Sequence, residues 1–399
     1  MNILEISKKI VNRESSLFDP DILKNHNVLS EEIDGQNVLV IGGAGSIGSS
    51  FIRSILRFNP KKIVVVDVNE NGLTELIRGL RSSKNQNFPD EIITYPVSFG
   101  SETFYKLFMH HGPFHIVANF AAHKHVRSEK DIFSIEALIK NNLIDAKRLL
   151  DHLIENKPKH FFCVSTDKAA NPVNVMGASK KLMEDLIFSY SDYFKVSTAR
   201  FANVLFSNGS LLEGFLMRIQ NQQPIACPND VTRFFVTQEE AGQICMLSCI
   251  LGKNNEIFFP KLNPKNDLIN FKDILPVVLS EFNLQPIYFK NEQKAVEFNI
   301  EKNNINYPVN LFTTDTSGEK LYEEFYTDSE TVDLKTYNSL GIITIKKRNL
   351  VEKQNELINS INKLFSRSNL MKSDIIEWLN SYIPEFQHIE TGIKLDNKM

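Results

Sequence analysis

The sequence predicts an α/β protein: a doubly wound parallel sheet carrying a smaller C-terminal substrate-binding part. Three observations lead there. Short apolar runs alternate with helix-period segments from Asn37 onward, a glycine-rich turn joins the first such run to the first helix, and the rhythm breaks after about residue 200. Strands buried on both faces read as near-continuous apolar runs, and helices between them cover the two faces of the sheet.

Taken in order, residues 1–34 precede the first strand and read as a helical extension. Apolar runs at 38–41, 63–66, 92–95, 116–120 and 161–164 read as buried strands, and a further β-like run from Lys195 ends at Arg200. Residues 47–58 and 72–80 have helical spacing between them. This gives a nucleotide-binding Rossmann domain over 35–200. Beyond it, Asn208-Gly209, Pro224, Pro228 and Pro260 punctuate irregular segments, so 201–345 is expected to close over the carboxyl ends of the strands, where ligands of doubly wound sheets lie. A helical tail follows over 346–399, with helices near 355–365 and 374–379.

Composition excludes several functions. With 42% hydrophobic and 23% charged residues the chain is globular, and a formal charge of −3 offers no field for nucleic acid or an anionic membrane. Cys163, Cys227, Cys245 and Cys249 form no C-x-x-C pair and sit in apolar stretches, so they read as reduced, buried thiols rather than a disulfide frame or a metal site. No run reaches the roughly 18 apolar residues of a membrane span, and residues 241–251 read as a core helix. The N-terminal segment has no apolar signal region, so a cytoplasmic protein is expected.

The turn Gly42-Gly43-Ala44-Gly45-Ser46-Ile47-Gly48 opens a helix directly after the first strand. Glycines at 42, 45 and 48 permit the tight turn and bring backbone N–H groups to a pyrophosphate at the helix N-terminus. Asp67 ends the second strand about twenty residues on, where a carboxylate accepts from the adenosine ribose and repels a 2′-phosphate, which selects NAD over NADP. The competing reading of Asp67 is a helix cap. Arg81, at the far end of the next helix, is the one residue that would speak for NADP.

The richest segment runs from Ser165 to Lys180, starting at a strand end and finishing inside a helix. Short-chain dehydrogenases carry a Tyr-x-x-x-Lys pair in that helix, one turn apart. Here Lys180 stands in its place and Met176 occupies the tyrosine position; a thioether has no proton to exchange. Thr166-Asp167-Lys168 followed by Asn174-Val175-Met176-Gly177-Ala178-Ser179-Lys180 closely resembles the UDP-N-acetylglucosamine 4,6-dehydratases of bacterial glycan biosynthesis, which include members of the bacillosamine and legionaminic acid pathways with methionine there. The blocks from Ala121, Ala122 and His123 through Lys124 to Val126, from Arg200 to Val204, from Thr232 to Thr237, Gly318-Glu319-Lys320 and from His388 to Gly392 agree with it. Two features depart: Val97-Ser98 replace an acidic residue beside the adenine, and the membrane helices of the large members are missing.

The resemblance implies a lyase with NAD as catalytic cofactor and UDP-GlcNAc as substrate. Oxidation at C4 acidifies the C5 hydrogen, a base removes it, an acid protonates the departing C6 hydroxyl, and hydride returns to C6. Asp167 is then the acid and Lys168 the base, which asks for a protonated carboxyl and a neutral amine, while Thr166 bonds the C4 oxygen. Lys180, Asp167 or a water could take the C4 hydroxyl proton. Lys124 is implied near cofactor and sugar, Asn142 as a buried support, and Asn203 and Val204 as contacts to the substrate phosphate or sugar. Ser207, Asn208, Gly209 and Ser210 form a polar turn suited to a diphosphate, Arg233 a cation for it, and Glu319 is placed by resemblance alone. Retention at C5 and a dimer or higher oligomer are expected. A GDP-linked sugar, a 4-epimerase and a non-catalytic NAD sensor are the alternatives.

Overall fold

The computed structural model describes residues 2–83, 88–300, 305–315, 318, 320, 322–345 and 351–390. Three helices come first, α1 (Ile3–Val11), α2 (Asp19–Lys24) and α3 (His26–Ile33). Strands and helices then alternate: β1 (Asn37–Ile41), α4 (Ser46–Ile55), β2 (Lys62–Val66), α5 (Glu70–Ser82), β3 (Glu91–Tyr95), α6 (Glu102–His111), β4 (Ile116–Asn119), α7 (Ile132–Ile139), α8 (Ala146–Glu155), β5 (His160–Val164), α9 (Val175–Ser189) and β6 (Val196–Ala199). The remaining elements are β7 (Asn203–Val204), α10 (Leu211–Gln220), β8 (Ile225–Pro228), β9 (Thr232–Val236), α11 (Gln238–Leu251), β10 (Glu256–Pro260), β11 (Leu268–Asn270), α12 (Phe271–Ser280), β12 (Gln285–Phe289), α13 (Glu292–Val296), β13 (Asn306–Phe312), β14 (Thr331–Asp333), β15 (Leu340–Thr344), α14 (Val351–Phe365) and α15 (Lys372–Tyr382).

Among the described residues the central sheet has nine strands in the order β14-β15-β10-β6-β5-β4-β1-β2-β3. Its body is parallel, with the chain stepping outward from β1 to β2 and β3 on one side and to β4, β5 and β6 on the other. That reversal opens a crevice beyond the carboxyl ends of β1 and β4, the expected ligand position for a doubly wound sheet. Most of the apolar runs behave as their sequence demands: every residue of β5 is buried, and so are four of the five in β1 and in β2. β3, expected to be buried as well, is instead only partly covered, because it lies at the end of the strand order.

The sheet does not stop at residue 200. β10 pairs in parallel with β6, and β15 and β14 add antiparallel edge strands, so part of the expected substrate region completes the nucleotide-binding sheet instead. Sequence rhythm missed this because the three strands are separated by irregular chain that builds two small sheets, β11-β9-β7 and β12-β13-β8. A second apolar core lies under those small sheets, where Phe215, Leu275 and Val309 pack with Ile6 and Ile10 of α1. Leu29 and Ile33 of α3 join the main core instead. The N-terminal helices therefore bridge the two cores. No helix among the described residues is long and apolar enough to cross a membrane.

Candidate functional site

A cleft of about 1170 Å³ runs from the glycine turn to the small sheets. At one end β1 delivers Gly42, whose N–H donates to Val66 O at 2.7 Å. Its φ of +76° suits glycine, and a Cβ there would lie 2.5 Å from Ala121 N, because the β1 and β4 ends converge at this point. At Gly48 a Cβ would meet Gly42 O at 2.3 Å, so the first turn of α4 can close onto the loop only without a side chain. Asp67 holds the loop from the other side. Its Oδ2 accepts Ala44 N–H at 3.0 Å and its Oδ1 accepts Asn69 N–H at 2.9 Å. Gly45, Ser46, Ile47, Ala121 and Ala122 line this end, with Val97, Ser98 and Phe99 beyond them. Arg81 does not belong here: it lies over the Phe88 ring at 5.6 Å, outside the cleft, because α5 carries it a full helix length from the β2 end.

At the middle of the cleft β5 ends at Val164 and the chain turns through a short 3₁₀ segment, Asp167–Ala169, before α9 begins. Asn174 caps that helix, accepting Gly177 N–H at 2.7 Å, and Glu129 Oε1 accepts Val175 N–H at 2.6 Å. A Cβ on Gly177 would sit 2.6 Å from Lys168 O, so α9 presses directly on the turn that carries Lys168. Met176 and Lys180, one turn apart, both line the cleft and are buried. The Lys180 ammonium donates to Val164 O at 3.0 Å, and burial holds its pKa below the usual lysine value. Asn142, in a π-helical turn over Lys140–Asp145 between α7 and α8, brackets His123: it accepts from His123 N–H and donates to His123 O, both at 3.1 Å, and it also donates to Ser179 Oγ.

Thr166 Oγ donates to Asp167 Oδ1 at 2.7 Å, and the same oxygen accepts Lys168 Nζ at 3.1 Å. Glu323 closes the other side of that ammonium, with its Oε1 3.7 Å away. Burial alone would lower the lysine's pKa, but the two carboxylates outweigh it and raise it above 10.5. Asp167, the larger influence, and Glu323 thus shift Lys168 opposite to the lowering that the sequence reading expected from burial. Glu323 is buried, which pushes its own carboxyl above the usual range against the pull of Lys168. Its signal in the sequence is indirect: it stands three residues after Lys320 of the Gly318-Glu319-Lys320 block, which the resemblance marks without singling out Glu323.

The far end gathers the remaining residues. Asn203, Val204 and the turn Ser207, Asn208, Gly209 and Ser210 line the cleft, with Lys124 and His125 facing them. Asn208 N–H donates to Ser46 Oγ at 2.8 Å, so this turn rests on the first residue of α4. Gly209 N–H donates to Glu213 Oε2 at 2.5 Å, and desolvation lowers the Lys124 pKa while Glu213 opposes it. Arg233 is buried, lines the cleft, and donates to Thr232 O at 2.9 Å. Met217, Arg218, Phe271, Phe312 and Thr314 complete, with Phe235 of the Thr232–Thr237 block, a wall that sequence reading otherwise did not select. Glu319 lies outside the described residues, as do residues 346–350 and 391–399. The four cysteines are free and buried, and no metal-binding group of His, Cys, Asp or Glu occurs among the described residues.

Residues 38–345 match the family model described as polysaccharide biosynthesis protein. The chain belongs to that family. Among its relatives, an uncharacterized membrane protein of Methanocaldococcus jannaschii is 33% identical over 77% of this chain and 85% of its own length. The probable polysaccharide biosynthesis protein EpsC of Bacillus subtilis is 30% identical over 80% of this chain, which spans only 50% of EpsC. An inverting UDP-N-acetylglucosamine 4,6-dehydratase of Campylobacter jejuni is 27% identical over 62% of this chain and 73% of its own length. Among solved structures, Pen from Bacillus thuringiensis superposes with a TM-score of 0.63 at 24% identity, covering 83% of this chain and 98% of that one. WbmF of Bordetella bronchiseptica, solved in complex with NAD+, gives 0.50 at 17% identity over 63% of this chain and 81% of its own. The fold of this family member is thus the extended short-chain dehydrogenase/reductase fold expected from the sequence.

Proposed function

We propose that the protein is an NAD-dependent nucleotide-sugar 4,6-dehydratase that converts UDP-GlcNAc to its 4-keto-6-deoxy derivative for surface glycan synthesis. One observation carries this reading: Thr166, Asp167 and Lys168 stand as a hydrogen-bonded set at the end of β5, beside the buried Met176–Lys180 pair. A 4-epimerase, as a Rickettsia canadensis relative 27% identical over 57% of this chain is named, has no use for such an acid–base couple.

The glycine turn fits a dinucleotide, because the missing side chains at Gly42 and Gly48 let the loop pack tightly against the β4 end and the first turn of α4, leaving Gly45 and Ser46 to line the cleft at the helix N-terminus. Gly42, Gly45, Ser46, Ile47 and Gly48 would hold the pyrophosphate, Asp67 the adenosine ribose, and Lys124 and Lys180 the nicotinamide end. NAD+, when bound, supplies the hydride acceptor that transiently oxidises C4.

Thr166 and Lys180 orient the C4 oxygen. The Asp167–Lys168 ion pair becomes an acid and a base by moving one proton from Nζ to Oδ1, across the 3.1 Å that separates them. A sugar entering the cleft strips water from the pair and so favours the neutral form. The C4 hydroxyl proton would leave through Lys180 or a water. Neutral Lys168 then takes the C5 proton, protonated Asp167 donates to the C6 hydroxyl as it leaves as water, and Lys168 would return a proton to C5 as hydride returns to C6. Asn203, Arg233 and the Ser207–Ser210 turn would bind the diphosphate and sugar. Retention at C5 belongs to this reading through Met176, in contrast to the name of the Campylobacter relative.

Purified protein incubated with UDP-GlcNAc should form the 4-keto-6-deoxy product by NMR without net NADH, and in D₂O should place deuterium at C5. Unchanged UDP-GlcNAc, with the GDP-linked sugar turned over instead, would correct the substrate; no deuterium at C5 would remove the mechanism. Lys168→Ala should abolish turnover while NAD+ still binds.

A further inference from the structure

Lys168 is held from two sides, and only one of them lies in its own segment. Glu323 reaches it from a turn that the fold anchors firmly. Two residues past Glu323, the Phe325 carbonyl accepts Arg200 Nη1 at 3.0 Å. Arg200 is fully buried and is doubly bonded both to Glu184, at 2.8 and 2.7 Å, and to Glu330, at 3.0 and 2.9 Å. Glu184 in turn accepts Ser165 Oγ at 2.6 Å, next to Thr166. On the other flank Lys320 Nζ donates to Asn171 O at 2.5 Å, and Asn174 Nδ2 donates to Gly318 O at 2.8 Å. Lys320 and Asn174 thus tie the turn that bears Glu323 directly to the β5–α9 segment that bears Lys168, and Arg200, just past β6, links the same two parts by bonding to both Glu184 and Glu330.

The carboxylate so delivered is 4% exposed, and its Oε2 has no hydrogen-bond partner among the described residues. The charged groups around it come from three places: Lys168 and Asp167 from the 3₁₀ turn, Arg233 from β9, and Lys320 from its own segment, 3.8 Å away. Burying an acid with unspent acceptor capacity is costly unless it serves a neighbour. Its nearest charged neighbour is Lys168 Nζ.

We propose that Glu323 is a positioning residue for Lys168, fixing its Nζ in the cleft and setting how tightly that amine keeps its proton. The inference rests on the dehydratase reading only for its effect on turnover; the ion pair itself needs neither substrate nor cofactor. Removing the negative charge while keeping the shape, as in Glu323→Gln, should let Lys168 release its proton more readily. The pair Asp167–Lys168 shares one proton in its working form, so loss of that last proton sets the alkaline limb of kcat. That limb should therefore move to lower pH in the variant.

The test uses the full-length protein carrying 13C-ε-lysine, with the Lys168 resonance assigned from its loss in Lys168→Arg. In Glu323→Gln the Lys168 amine should titrate at least about one pH unit below wild type. Glu323→Asp, which keeps the charge one methylene further off, should recover part of that difference. Equal titration in wild type and Glu323→Gln would overturn the proposal, even in a protein fully active as a dehydratase. Conversely, a shifted amine in a protein that leaves UDP-GlcNAc untouched would support the ion pair and sink the dehydratase reading alone. Should Glu323→Gln fail to fold, the wild type decides: its Lys168 must remain ammonium at about pH 10, and an amine half deprotonated below that overturns the assignment.

Discussion

Ser46 and Asn208 meet across the mouth of the cleft: the Ser46 hydroxyl accepts Asn208 N–H at 2.8 Å and donates to Asn208 Oδ1 at 3.1 Å. The first residue of the cofactor helix is thereby joined to the turn proposed for the sugar nucleotide. Ser46→Ala removes both bonds, each worth about 1 kcal/mol net. NAD+ affinity by calorimetry should fall roughly tenfold, and KM for the nucleotide sugar should rise with it. A change in only one of the two would show that the contact does not couple the sites.

Gly42→Ala places a Cβ against the β4–Ala121 junction at a positive φ. Backbone strain of this kind costs about 1–3 kcal/mol before the overlap is counted. We expect a lower Tm in differential scanning fluorimetry and loss of the Tm increase that NAD+ gives the wild type.

Met176→Leu tests whether the thioether takes part in proton transfer. The side chain is 2% exposed, and leucine conserves its volume, so packing should lose less than about 1.5 kcal/mol. Because neither side chain exchanges a proton, turnover should stay within roughly threefold of wild type. A hundredfold loss would mean that sulfur has a chemical role.

Most of the doubly wound half was legible in the sequence, since β1, β2, β4 and β5 are buried on both faces and leave a continuous apolar signature. So was the group Thr166, Asp167, Lys168 and Lys180, which is contiguous enough to form a motif. Glu323 was not. It meets Lys168 because Arg200, Lys320 and Asn174 together hold a distant turn against the β5–α9 segment, and the nearby Gly318-Glu319-Lys320 block does not single Glu323 out. β10, β14 and β15 were missed because they are set among chain that builds the two small sheets, outside the regular strand–helix alternation.

Stability should decline as pH falls below 6.5. His160 is 2% exposed; burial keeps its pKa below 6.5, against the hydrogen bond it makes with Glu32 at 2.7 Å. Below 6.5 the unfolded chain takes up a proton that the folded one refuses, and the loss continues until pH reaches the folded pKa, at up to about 1.4 kcal/mol per pH unit for one such group. His111 and His123 are lowered in the same direction by burial. Urea unfolding at several pH values should show a shallower decline in His160→Gln; an unchanged slope would assign the effect to the other two.

Ile389 donates its N–H to Val173 O and accepts Gly318 N–H at its own carbonyl, while His388 Nε2 lies 2.8 Å from Glu129, the carboxylate that also holds Val175 N–H. The segment leading into Met176 is therefore pinned by residues synthesised more than two hundred positions later. During translation the glycine turn and most of the sheet can form while the acid–base residues still lack this brace. A newly made chain should acquire the capacity to bind dinucleotide before it acquires the capacity to turn over sugar.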